Sequence, residues 1–202
     1  KSVEKKLPKA LIDVCGKTFL SQIFLIWYNA GIRNFVFLLH YKSDQIIYEL
    51  NELKGCYNNC KIKYIVEDVP LGTGGSVINA INTLKTSDRI FVTNADTWLD
   101  HIPAPIIYNK KNAILRMLVD TNERYGEIEF EGSIVKKFVE KESISKKSNS
   151  SFNINVGFYS FIVKDLKNII NRNNNFSMEY NILPWLAERD ILHCHEYIGN
   201  FW

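Results

Sequence analysis

The sequence predicts an α/β protein in which helices cover both faces of a mixed, mostly parallel sheet. Three features predict it. Apolar runs of strand length alternate with amphipathic helical stretches from Ala10 to Thr93, the order expected when parallel strands are joined by helical crossovers. After Asp100 the alternation gives way to a hairpin pattern, so the sheet should be mixed at one edge. The run Arg89 to Thr93 reads as a strand buried on both faces and ends at Asn94-Ala95-Asp96, which sets one carboxylate just past its C-terminal end. In open α/β sheets that end borders the crevice where ligands bind.

Lys1 to Lys9 is a basic loop ending in Leu7-Pro8-Lys9, and Ala10 to Val14 is a short apolar run. Cys15-Gly16-Lys17 turns into a helix from about Thr18 to Ala30. Phe19, Leu20, Ile23, Phe24 and Trp27 repeat there at three- and four-residue spacing, and Gly31 closes it as a left-handed cap. Asn34 to Leu39 is a continuous apolar strand. Ser43 caps the next helix, which carries Ile46, Ile47, Leu50 and Leu53 on one face and stops at Gly55. Lys61 to Val66, rich in β-branched and aromatic residues, is a third strand, and Ser76 to Leu84 is helical with Val77, Ile78, Ile81 and Leu84 inward. Beyond Asp100, Pro103 starts a short helix within Ile102 to Lys111, and Ala113 to Val119 is a strand. Gly126 to Phe130 and Ser133 to Val139 form a hairpin joined at Glu131-Gly132, and Lys141 to Ser151 is a polar loop. Phe152 to Val163 is a long strand, Asp165 to Arg172 and Ser177 to Glu188 are helices, and Ile191 to Ile198 is the last strand. No repeat or linker divides residues 1–202, so a single domain with one core is expected.

Composition excludes several classes. A net charge of +3 is too small for a nucleic-acid-binding surface, although local lysines around an anionic ligand would account for it. No apolar run approaches ~18 residues and no charged-then-apolar leader opens the chain, so neither a membrane span nor export is expected. Cys56 and Cys60 lack a second pair at zinc-finger spacing, and reduced thiols in the cytoplasm are the reading for all four cysteines. His193 and His195 share one strand face, a pattern commoner for surface residues than for ligands.

The chemistry centres on a few positions. A divalent cation bridging phosphates needs one or two fixed carboxylates, and Asp96 is placed to supply one; the alternative is a turn residue that merely caps the next helix. Leu71-Gly72-Thr73-Gly74-Gly75-Ser76 follows a strand and opens a helix, so its backbone N–H groups can meet an anion or a base edge. It is neither a P-loop nor the dinucleotide fingerprint. Lys9 and Lys141 can each meet a phosphate as a point charge, or be solvated surface lysines.

In combination these stretches are more specific. Leu7-Pro8-Lys9-Ala10-Leu11, Glu67-Asp68-Val69-Pro70-Leu71-Gly72-Thr73-Gly74-Gly75, Asn94-Ala95-Asp96-Thr97, Arg124-Tyr125-Gly126, Val139-Glu140-Lys141 and Asn155-Val156-Gly157-Phe158-Tyr159 follow one another in that order. Together they resemble the sugar-1-phosphate nucleotidyltransferases, the NDP-sugar pyrophosphorylases, and among them the bacterial subgroup of D-glycero-D-manno-heptose 1-phosphate guanylyltransferases. The resemblance covers the whole chain and implies the Rossmann-like fold of the nucleotide-diphospho-sugar transferases. It implies that Lys9 holds the triphosphate or the leaving pyrophosphate, that Glu67, Leu71, Gly72, Thr73, Gly74 and Asn94 bind the nucleotide, and that Asp96 holds Mg²⁺. Tyr125, Gly126, Glu140 and Asn155 would line the sugar, with Lys141 on its phosphate. Phe176-Ser177-Met178-Glu179 is similar to the subgroup's helix-opening motif, which adds Glu179 to the sugar side.

The family's first strand and its Gly-Gly-x-Gly-Thr-Arg-Leu loop would precede Lys1, and its second metal-binding Asp would follow Phe201-Trp202. Both are expected to lie outside this stretch of sequence. The implied reaction joins a nucleoside triphosphate, GTP by subgroup likeness, to a heptose or hexose 1-phosphate with release of pyrophosphate. The product would feed capsule or lipopolysaccharide synthesis, and assembly into a homo-oligomer stays open. Two alternatives are a glycosyltransferase of related fold using Asp96 and Asp100, and a non-catalytic module that binds nucleotide sugars.

Overall fold

The computed structural model describes residues 7–86, 88–120, 125–139, 151–169 and 176–201. The chain forms two compact units. The first comprises Lys1–Pro70, Ala95–Ile102 and Asn200–Trp202, and the second Leu71–Asn94 and Pro103–Gly199.

In the first unit a tight hairpin joins β1 (Asp13–Val14) to β2 (Lys17–Thr18). Cys15 and Gly16 both take positive φ, the combination that matches a two-residue turn to strand twist. Helix α1 (Phe19–Asn29) starts on Thr18, whose hydroxyl accepts from Ser21 N–H at 3.1 Å and donates to Glu49 at 2.7 Å. Its inner face is Leu20, Ile23, Phe24 and Trp27, and Gly31 takes φ +92° beyond its end, as expected. Strands β3 (Asn34–Leu39) and β4 (Lys61–Val66) have the predicted bounds and pair in parallel throughout, from Asn34–Lys61 to Leu39–Val66. Helix α2 (Ser43–Cys56) is the crossover between them. Its N-cap is not Ser43 but Lys42, in the left-handed conformation, and it ends one residue beyond Gly55. Ala10, Leu20, Phe24, Leu39, Leu50, Leu53 and Ile62 form the core of this unit.

The second unit is organised on a six-stranded sheet, in the order β5 (Arg89–Thr93), β9 (Phe152–Ile162), β6 (Asn112–Val119), β10 (Leu192–Glu196), β8 (Ile134–Val139), β7 (Glu127–Glu131). Helices α3 (Gly72–Thr83), α4 (Ala104–Tyr108), α5 (Val163–Lys167) and α6 (Leu183–Ala187) complete it, with a π-helical turn at Met178–Ile182 leading into α6. That turn has a local cause. Pro184 has no N–H for the carbonyl four residues back, and the N–H groups of Ile182 and Leu183 instead reach five residues back, to Ser177 and Met178.

The sheets are mixed, and the mostly parallel arrangement is corrected. Among the described residues only β3–β4 and β6–β10 pair in parallel, because β9 runs antiparallel to β5, β6 and β7. Strand β5 is half-buried rather than fully buried because it stands at the edge of the six-stranded sheet. Helix α3 starts at Gly72, four residues before Ser76, so the glycine-rich run lies inside the helix. The helix expected at Asp165 to Arg172 is instead Val163–Lys167, ending at Asn168, and residues 170–172 lie outside the described residues. The last strand is trimmed to Leu192–Glu196. Between β6 and β9 the chain is tied at one end by Asn112, whose amide donates to Asp165 and accepts from Ile162 N–H.

Ser160, near the C-terminal end of β9, is fully buried, and its hydroxyl has no partner among the described residues. An unpaired buried hydroxyl costs about 1–3 kcal/mol. Ser160→Ala is therefore expected to leave stability unchanged or raise it by about 1 kcal/mol, read as the urea midpoint at constant slope. A clear loss of stability would show that the hydroxyl does find an acceptor.

Candidate active site

In the first unit, the turn that follows β5 by sequence brings two predicted residues together. Lys9 lies in a 3-10 turn (Lys9–Leu11) opened by Pro8, and its Nζ is 3.9 Å from Oδ2 of Asp96. The two side chains are 83% and 61% exposed, so the pair contributes little to stability and presents both charges to solvent. Asp100, four residues on, is committed elsewhere. Its Oδ2 accepts from the backbone and side-chain amides of Asn200 at 2.9 and 3.2 Å, and its Oδ1 lies 2.6 Å from His101. A bridge between Leu99 and Phe201 fixes the same segment. Glu67, at the end of β4, is held at its backbone: its N–H donates to Leu39 O and its carbonyl lies 2.8 Å from His40 Nδ1.

The second unit brings predicted residues into two groups. Where β5 ends, Asn94 N–H donates to Gly157 O at 3.3 Å, and Asn155 N–H donates to Gly126 O at 3.0 Å. Between these contacts the register of β9 against β6 slips, from Ile114–Tyr159 to Arg116–Asn155. Gly157 absorbs the slip at φ +76°, a value that favours glycine. The amide of Asn155 accepts from Gly157 N–H and donates to Tyr159 Oη at 2.8 Å, so its orientation is set by the bulge. Tyr125 is half-buried beside Gly126. Arg116, opposite Asn155, was not anticipated: it donates to Asn153 at 2.6 Å, pairs with Glu196 at 3.4 Å and lies over the Phe130 ring.

The other group joins the first turn of α3 to the π-helical turn. Gly74 and Gly75 both donate their N–H groups to Phe176 O at 2.8 Å, and Phe176 N–H donates to Leu71 O. Those two amides are thus used within the protein and not held out to an anion, as the glycine run had suggested. A Cβ on Gly74 would come 2.9 Å from the backbone carbon of Ser177, so close approach of two backbones is what glycine serves here. Gly72 takes φ +79°, half-buried at the helix start beside Leu71. Thr73 Oγ1 donates to Glu179 Oε2 at 3.0 Å and accepts from Met178 N–H. Ser177 caps the turn as its Oγ accepts from the N–H groups of Glu179 and Tyr180 and donates to Glu179 Oε2 at 2.8 Å. The sequence had put Thr73 and Glu179 on different substrates; the structure bonds one to the other. Phe176 and Ser177 were legible only as a helix start, and two adjacent glycines were the one sign of a close approach.

Glu140 and Lys141 lie outside the described residues. His193 and His195 belong to neither group: burial pushes both below the ordinary imidazole range, aided for His193 by Lys111 and His195. The Asn109 amide, a donor, lies 2.7 Å from His195 Nε2, which fits a neutral ring accepting there. All four cysteines are free thiols, and no described helix is long and apolar enough to cross a membrane.

The profile of the family described as Nucleotidyl transferase matches residues 3–202. The chain is 31% identical over 181 residues to the D-glycero-alpha-D-manno-heptose 1-phosphate guanylyltransferase of Campylobacter jejuni, covering 89% of this chain and 77% of that one. It is 29% identical over 204 residues to the mannose-1-phosphate guanylyltransferase catalytic subunit beta of Xenopus tropicalis, where 97% of this chain spans 54% of the relative, about half its length. Among solved structures, HddC from Yersinia pseudotuberculosis matches with a TM-score of 0.80 and 28% identity, over 99% of this chain and 85% of that one. The same protein complexed with GMP-PN matches with a TM-score of 0.79 and 27% identity, over 100% and 86%.

Proposed function

The chain belongs to the nucleotidyl transferase family, and we propose that it joins GTP to a heptose or hexose 1-phosphate, releasing pyrophosphate. The observation that carries this reading is the solvent-facing pair of Lys9 and Asp96, 3.9 Å apart. Likeness along most of the chain to guanylyltransferases of heptose and mannose 1-phosphate favours GTP as the triphosphate and a sugar of that class as its acceptor. The glycosyltransferase reading weakens, because the Asp100 carboxylate is already occupied by Asn200 and His101.

A sugar-phosphate oxygen attacks the α-phosphorus in line, forming the new P–O bond as the bond to pyrophosphate breaks. The nucleophile is already an anion, so no general base and no covalent protein intermediate are required. The protein positions the two reactants and offsets phosphate charge. Lys9 holds the triphosphate and the departing pyrophosphate. Glu67, Leu71, Gly72, Gly74 and Asn94 contour the nucleotide. Tyr125, Gly126, Asn155 and Glu179 line the sugar with Glu140, and Lys141 meets the sugar phosphate.

Asp96 would hold Mg²⁺. Among the described residues no group of three or more His, Cys, Asp or Glu side chains could hold a metal ion, but Mg²⁺ bound between substrate phosphates needs only one or two carboxylates. One exposed acidic group therefore fits. The resemblance puts a second acidic ligand after Phe201-Trp202, and Phe201 is bridged to Leu99, three residues from Asp96. When bound, the ion would neutralise charge on the phosphates. The same reading carries one nucleotidyltransferase domain with helices over both sheet faces, in a cytoplasmic enzyme supplying a nucleotide sugar for surface glycans. Subunit association stays open.

Incubating the full-length protein with GTP and heptose, mannose or glucose 1-phosphate tests the reaction. Pyrophosphate and a GDP-sugar are expected, whereas free nucleoside diphosphate would indicate glycosyl transfer. Lys141→Ala should lower sugar-phosphate turnover about 10²-fold while GTP binding changes little. Unchanged turnover would remove Lys141 from the site.

A further inference from the structure

We propose that Thr73 is a positioning residue for the sugar side of this reaction, setting the Glu179 carboxylate, although its place in the sequence groups it with the nucleotide turn. The inference rests on the nucleotidyltransferase reading above. A threonine hydroxyl has one proton to give. In Thr73 that proton is directed at Glu179 Oε2, 3.0 Å away and 106 residues distant in sequence, while a lone pair accepts from Met178 N–H at 2.8 Å. No proton is left for a base edge. Ser177 Oγ converges on the same carboxylate oxygen at 2.8 Å, so Oε2 is fixed by two hydroxyls.

The framework beneath these contacts is rigid by construction. Gly74 and Gly75 share the carbonyl of Phe176, and Ser177 caps the turn on which Glu179 stands. A glutamate on a free helix surface explores many rotamers; held by one oxygen from two sides, it is preorganised and keeps Oε1 for a ligand hydroxyl. Loss of the Thr73 hydroxyl should therefore weaken recognition of the sugar and spare the base.

The test is steady-state kinetics of the full-length enzyme with GTP and heptose 1-phosphate. T73V and T73A should raise the KM for the sugar phosphate about tenfold while the KM for GTP stays within about twofold, and T73S should restore wild-type values. E179Q should shift the same KM, and T73V combined with E179Q should be no worse than the stronger single variant. A rise in the GTP KM equal to or larger than that for the sugar, unchanged values in T73V, or additive effects would overturn the proposal. If T73V folds poorly, T73A and E179Q carry the comparison. Absence of turnover by the wild-type enzyme would overturn the nucleotidyltransferase reading instead. Equilibrium binding of heptose 1-phosphate would then decide the positioning role, with weakening in T73V and T73A but not in T73S supporting it.

Discussion

Asp96→Asn is expected to lower kcat/KM about 10³-fold with the fold intact. The substitution preserves shape and removes one negative charge from a side chain that is 61% exposed and whose partner, Lys9, is more exposed still. Stability should therefore stay within about 0.5 kcal/mol of wild type. An amide is a poor ligand for a hard divalent ion and leaves the phosphates less neutralised, so the defect should fall on turnover. Pyrophosphate release across a Mg²⁺ titration, set beside a thermal melt, measures both. Near-normal turnover in a folded variant would refute the metal assignment.

Gly74→Ala should be the most damaging small substitution in the second unit, at about 3 kcal/mol of stability with loss of activity. The added methyl would lie 2.9 Å from Ser177 C and 3.0 Å from Phe176 O and Ser177 O. All three are backbone atoms, so no side chain can rotate away. Relief requires α3 and the Phe176–Ser177 segment to part, which breaks the paired bonds from Gly74 and Gly75 to Phe176 O. Gly55→Ala is the control. It lies inside α2 with nothing within 4 Å of its added Cβ, and should be neutral or stabilising by about 0.5–1 kcal/mol. Urea midpoints of the two variants separate crowding from helix propensity; equal midpoints would contradict the close approach at Gly74.

The local elements were legible in the sequence. Asn34–Leu39, Lys61–Val66 and Arg89–Thr93 are apolar runs with polar ends, and the structure keeps the bounds read from them. Strand direction was not legible. Nothing in Phe152–Ile162 says that it runs against β5 and β6, because apolar content reports burial and not polarity along the sheet. Lys9 and Asp96 were visible as a proline-presented lysine and an acid past a strand. The contact of Thr73 with Glu179 was hidden, since local spacing carries no information about which distant segments meet. A glycine amid the apolar run at Gly157 was the visible trace of the bulge that orients Asn155.

The antiparallel pairing of Leu99 and Asp100 with Phe201 and Asn200 has a consequence for synthesis on the ribosome. Emerging chains fold from the N-terminal end, and β3, α2 and β4 are complete once Val66 has been added. The clasp on the segment after Asp96 waits for about 100 further residues to be translated. The turn that carries Asp96 is therefore among the last parts of its unit to be secured, and a nascent chain stalled before Asn200 would carry a folded β-α-β frame with that turn unclasped.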